Sequence, residues 1–113
     1  MKLLSEARLL RIFIGESDKF EGRPLYQVIV ERARQRELAG ATVLRGYLGF
    51  GANSRIHSAR VLRLSEDLPM VIEIVDEPER INAFITELDG LIGEGLVTLE
   101  KVEVLIYRQN KVT

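Results

Sequence analysis

Residues Ala41–Ser65, ATVLRGYLGFGANSRIHSARVLRLS, open as a strand, break into glycine-rich polar sequence, and regain apolar alternation at Val61, Leu62 and Leu64. Gly46 and Gly49 weaken the strand and mark a bend or a close backbone approach. From Gly51 to about His57 neither a helical nor a strand period is present, so about residues 51–59 read as a flexible loop. Binding residues concentrate on such segments when a rigid scaffold holds their ends. The flanking sequence therefore decides the fold.

Before this stretch, residues from about Ala7 to Gly15 alternate as a strand, with Leu10, Ile12 and Ile14 on one face and Leu9 and Phe13 on the other. Gly22 is expected to open a helix with Pro24 in its first turn, where a missing N–H is tolerated. Leu25, Ile29 and Ala33 form its stripe, and Gly40 is placed to end it in a left-handed cap. The next strand is expected over Thr42 to about Phe50, with Arg60–Leu64 extended again as a continuation of the same hairpin.

After the stretch, Ser65, Glu66 and Asp67 read as a turn, and Met70, Ile72 and Ile74 alternate with Val71, Glu73 and Val75. Asp76 and Glu79 have capping-box spacing with Pro78 between them. Ile81, Phe84, Ile85 and Leu88 carry the clearest helical period, and Gly90 stops it. Leu91–Gly95 is a glycine-bounded loop, Val97–Tyr107 the last strand, and 108–113 a frayed polar tail.

The order strand, helix, strand, strand, helix, strand fits an α+β ferredoxin-like βαββαβ sandwich. Such a sandwich is a four-stranded antiparallel sheet with two helices on one face. The opposite face keeps Leu9, Phe13, Val71 and Val75, joined by Leu105 and Tyr107. A lone domain does not leave such a surface in water, so a second copy of the chain is expected to cover it.

At 113 residues the chain makes one domain. Its 16 Lys plus Arg against 17 Asp plus Glu give no global pull toward nucleic acid or an anionic membrane. Without cysteine there is no disulfide, thiolate nucleophile or cysteine metal site. No apolar run reaches the roughly 18 to 20 residues of a membrane span, and MKLLSEARLL lacks a leader pattern, so a cytoplasmic protein is expected.

No catalytic constellation stands out. His57 is the single histidine. Glu16, Asp18 and Glu21 form an acidic turn that reads as solvent-facing rather than as a metal site. The glycine segments carry more. Gly93 and Gly95 bracket Glu94 between a helix and a strand, where a turn can present backbone amides to an anion. Arg45 and Arg55 are of the type that grips phosphate or carboxylate, and Tyr47 and Phe50 can stack on a ligand. The candidate binding set is Arg45, Gly46, Gly49 and Gly51 with Ile92, Gly93, Glu94 and Gly95, facing each other across a cleft between subunits.

The run Gly40–Gly46 (GATVLRG), then Gly49-Phe50-Gly51, Ile56–Ala59 (IHSA), Leu64–Pro69 (LSEDLP), Ile72–Asp76 (IEIVD) and Gly95–Thr98 (GLVT) resembles the domain-of-unknown-function 190 family over nearly the whole chain. That family is similar to the PII nitrogen-regulatory signalling proteins. The resemblance implies a ferredoxin-like homotrimer, an effector loop at about 51–59, and a nucleotide-binding loop at Ile92–Gly95. Leu96 stands where the similar loop carries a lysine, which implies a ligand with fewer charges than a triphosphate or one bound with weak affinity. The expected function is a small oligomeric regulatory protein. It would bind an adenine nucleotide or other anionic metabolite and act on a membrane transporter or other protein partner, with no nucleic acid involved. The alternatives are a small enzyme using His57 with Arg45 or Arg55, or an oligomeric scaffold without ligand.

Overall fold

The computed structural model describes residues 6–51 and 67–109. The expected strand over Arg60–Leu64, most of the loop at 51–59 (with Arg55 and His57), Ser65, Glu66 and the end of the tail lie outside the described residues.

A four-stranded sheet carries the fold, in the order β4-β5-β1-β6. Its strands are β1 (Glu6–Gly15), β4 (Thr42–Arg45), β5 (Pro69–Asp76) and β6 (Leu96–Glu103). A small hairpin of β2 (Lys19–Phe20) and β3 (Arg23–Pro24) precedes helix α1 (Leu25–Gln35), and α2 (Pro78–Asp89) joins β5 to β6. All sheet neighbours are antiparallel. Register places Leu10 opposite Ile74, Ile12 opposite Ile72 and Ile14 opposite Met70, so one apolar face follows from period-two alternation. Val28, Ile29 and Ala33 of α1 and Ile81, Phe84 and Leu88 of α2 pack on it in a single core. Ile12, Ile29, Ile72, Ile81 and Phe84 are wholly buried, each contributing about 1.5–3 kcal/mol. The ferredoxin-like sandwich is thus present, with both helices on one face.

Several local expectations are corrected. Gly22 does not open α1. Glu21 and Gly22 both take positive φ and turn the β2–β3 hairpin, as two-residue loops with that handedness do. Pro24 stands just ahead of the helix, whose first residue, Leu25, donates its N–H to Asp18 O. Gly40 does not cap α1 either. Glu37 takes the left-handed conformation, with Leu38 N donating to Ala33 O and Glu37 N to Arg34 O. That is a Schellman closure whose following residue, Leu38, packs on the core. The strand expected to reach Phe50 stops at Arg45, because its partner begins at Pro69, which has no N–H to donate. The last strand starts at Leu96, opposite Phe13, and ends at Glu103, opposite Glu6.

Asp76 is no cap residue; Glu77 holds that position without a side-chain bond. Asp76 is instead wholly buried. One oxygen accepts from Glu77 N at 2.6 Å and the other from Ala39 N at 2.8 Å. Arg80 Nε lies 3.2 Å from the first, out of line for a hydrogen bond, while its Nη2 donates to the carbonyls of Arg36 and Glu37. This cluster ties the exit of α1 to the start of α2. Glu87 adds a second tie between the helices through Arg32 and Arg36, and the hydrogen bond from Arg32 holds its carboxyl below the usual range.

The helix-free face holds Leu9, Phe13, Val71 and Val75, all partly buried, with Leu44 and Leu96 more exposed. Arg11 crosses its middle, paired to Glu73 at 2.8 Å and to Glu100.

Gly95 sets the start of β6. Its φ is +154°, and a Cβ there would stand 2.8 Å from Phe13 O. Gly93, two residues earlier, has open space around it. Gly95→Ala is therefore expected to lower stability by about 1–3 kcal/mol, whereas Gly93→Ala stays within about 0.5 kcal/mol of the parent, as urea unfolding will show. Asp76→Ala leaves the part-buried amides of Ala39 and Glu77 without their acceptor and removes the carboxylate beside Arg80 Nε. Its expected loss is about 3 kcal/mol in the same measurement.

Candidate functional site

The end of the sheet where β1 finishes and β5 begins carries the site. Gly15 pairs with Pro69 there, so the turn after β1 and the residues before β5 meet. Asp18 Oδ2 accepts from Gly15 N at 2.9 Å, and Asp67 Oδ1 accepts from Ser17 N at 3.0 Å and Ser17 Oγ at 2.7 Å. Glu16 N donates to Leu68 O at 2.8 Å. The bend after β4 wraps Pro69. Gly46 N donates to its carbonyl at 2.7 Å, and Gly49 lies against its ring. The bend delivers Phe50 and Gly51 to the same end of the sheet. From the other side the α2–β6 loop brings Glu94, Gly95 and Leu96.

These pieces enclose a pocket of about 420 Å³. Phe13, Ile14 and Gly15 come from β1, Asp18 from the turn, Phe50 and Gly51 from the bend, Asp67 and Pro69 from the approach to β5, and Glu94, Gly95 and Leu96 from the last loop. Its volume is that of small-ligand sites, and aromatic and aliphatic side chains dominate the walls. The polar groups are three carboxylates, and no Lys, Arg or His is among the described lining. Among the described residues no group of three or more His, Cys, Asp or Glu is arranged to hold a metal ion.

Of the residues expected from the sequence, Gly51, Glu94 and Gly95 line this pocket, while Gly46 and Gly49 shape the bend behind it. Ile92 packs against the core, and Gly93 is exposed in the loop. Arg45 is turned to Glu16, with Nε 3.0 Å and Nη2 3.1 Å from its two carboxylate oxygens. Asp18 and Asp67 were legible only as turn formers. Each becomes a wall of the pocket through the β1–β5 pairing, which no local pattern displays.

Residues 7–104 match the DUF190 family, described as uncharacterised. A UPF0166 protein of Aquifex aeolicus is 46% identical over 98 residues, covering 87% of this chain and 92% of its own length. A UPF0166 protein of Methanocaldococcus jannaschii is 35% identical over 100 residues, with 88% and 92% covered. Among solved structures, a nitrogen regulatory PII-like protein of Thiomonas intermedia, bound to ADP, AMP and bicarbonate, superposes with a TM-score of 0.61. That superposition covers 88% of both chains at 14% identity, a likeness of fold. In sequence the chain belongs to the DUF190 family, on a fold shared with PII-like proteins.

Proposed function

We propose that this chain is a small regulatory protein. It binds a metabolite effector in the pocket between the Arg45–Gly51 bend and the Ile92–Gly95 loop, and passes the bound state to a protein partner, of which a membrane transporter is one kind. The observation that carries this is the pocket itself, a ligand-sized apolar cavity at the root of the segment that leaves at Gly51 and returns at Asp67. An effector packed on Phe50 and Gly51 touches the chain where that segment begins. The PII-like fold supports a signalling role rather than a catalytic one. A nucleotide-like effector suits the walls through its base, which can stack on Phe13 or Phe50.

The working form is a homo-oligomer, with three copies as the number suggested by the resemblance. The partly buried Leu9, Phe13, Val71 and Val75 and the exposed Leu44 and Leu96 form the apolar face that a second copy covers. Phe13 and Leu96 belong both to this face and to the pocket, so assembly and ligand binding share a wall.

Light scattering at micromolar concentration is expected to give a mass about three times that of one chain. Phe13→Asp should lower it, because an unpaired charge buried in an interface is costly. A monomeric parent, or an unchanged mass for the variant, would remove the oligomer or Phe13's place in it. For the effector, calorimetry against nucleotides and common metabolites, followed by amide-resolved NMR with any binder, is expected to shift Phe13–Asp18, Gly46–Gly51 and Ile92–Leu96. Shifts confined to other residues would overturn the pocket as the effector site.

A further inference from the structure

We infer that the turn at Glu16–Asp18 is a coupling clasp. It grips both stems of the segment that leaves at Gly51 and returns at Asp67, and it makes the two stems open as one unit. The clasp is a property of the ligand-free chain, so it and the effector reading of the pocket stand or fall separately.

Three grips meet on this one turn. On the exit stem Arg45, the last residue of β4, sets Nε and Nη2 on the two carboxylate oxygens of Glu16, at 3.0 and 3.1 Å. On the return stem Asp67 Oδ1 accepts from Ser17 N at 3.0 Å and Ser17 Oγ at 2.7 Å. Leu68 O, next to it, accepts from Glu16 N at 2.8 Å. The turn is braced from within, since Asp18 Oδ2 accepts from Gly15 N and Asp18 N donates to Gly15 O. Asp18 O accepts from Leu25 N, the first residue of α1, which anchors the clasp to the helix layer.

The space around Asp67 is fitted to this contact. A Cβ at Gly15 would stand 2.5 Å from Asp67 Oδ1 and 3.1 Å from its Cγ, so a side chain there would push the carboxylate off Ser17. Asp67 itself has φ +41°, in the left-handed region that Asp adopts where its short side chain finds a local partner. Each grip alone is weak, because Arg45 is half-exposed and the Ser17 link lies at the surface. Gly46 N also donates to Pro69 O, so the turn and the two stems form a closed ring of contacts. Losing one member leaves the others less fixed, which is the condition for opening together. Gly15, Asp18, Asp67 and Pro69 line the pocket as well, so an occupant rests against the clasp.

The test is amide hydrogen exchange on the full, ligand-free chain, read at Gly46 on the exit stem and at Ser17 in the turn. Leu10 and Ile12, inside β1, serve as the reference. Ser17→Ala removes the hydroxyl donor, Gly15→Ala displaces the Asp67 carboxylate by crowding, and Arg45→Gln removes the charge on the exit stem. Ser17→Ala and Gly15→Ala are each expected to speed exchange at Gly46 about threefold, across the clasp from the altered residue. Arg45→Gln is expected to speed it at Ser17 about threefold, with Leu10 and Ile12 unchanged throughout. In the Ser17→Ala, Arg45→Gln double variant the gain at Gly46 falls short of the product of the single gains, as for parts of one unit. Effects confined to the side that was cut would overturn the clasp. So would single gains that multiply in the double variant, or an equal gain at Leu10 and Ile12, which marks a general loosening of the fold.

Discussion

The pairing of β1 with β5 is the constraint on which everything else depends. Eight residue pairs, from Arg8–Asp76 to Gly15–Pro69, lock the two central strands. A slip of one residue would turn Leu10, Ile12, Ile14, Met70, Ile72 and Ile74 away from the helices. One end of the pair places Asp76 beneath the exit of α1, where it gathers Ala39 and Glu77 amides and Arg80. The other end brings the Gly15–Asp18 turn against Asp67–Pro69 and so creates the pocket. The core and the candidate site are two consequences of one register.

The same strands carry two unlike faces. On the helix side Leu10, Ile12, Ile14, Met70, Ile72 and Ile74 form an apolar stripe that is closed by α1 and α2. On the far side the apolar residues are divided by Arg11 with Glu73 and Glu100. The Glu73 hydrogen bond, first among the causes, holds the guanidinium above its ordinary range. An ion cluster in the middle of an otherwise apolar surface adds little to the stability of a lone chain in water. Across an interface it sharpens the choice of partner and register, since a misplaced copy would bury a charge against carbon. A self-associating face needs that discrimination, whereas a face left in solvent has no use for it.

Most of the fold was legible because its signals are periodic. Ile81, Phe84, Ile85 and Leu88 announce α2, and Met70, Ile72 and Ile74 announce β5; in both cases burial follows the period. Punctuation was less legible, for physical reasons. Gly40 advertises a cap, yet the left-handed residue is Glu37, because Leu38 anchors the closure by packing on the core. Asp76 has the spacing of a cap box, yet it is buried with one oxygen on the next residue's amide and the other on the Ala39 amide, which tertiary structure brings to it. Of the candidate site, the glycine loop around Glu94 and the bend at Gly46–Gly51 stood out locally. Asp18 and Asp67 did not, since a carboxylate in a turn looks alike whether it faces water or, as Asp67 does with Ser17, a neighbour 50 positions away in the chain.

The sign of the pocket follows from magnitudes. The anion expected from the glycine loops would draw on Arg45, now bound to Glu16. That pair is half-exposed on the arginine side and so is worth only about 0–1 kcal/mol. An incoming anion could displace Glu16 at little cost. Two unit charges about 5 Å apart interact by roughly 0.8 kcal/mol even at the dielectric constant of water, and by several times that beside low-dielectric walls. Leu96 adds a neutral, exposed side chain to the same wall. The described lining of one chain is thus negative in character, and an anionic group on the effector would be met by cations from beyond it.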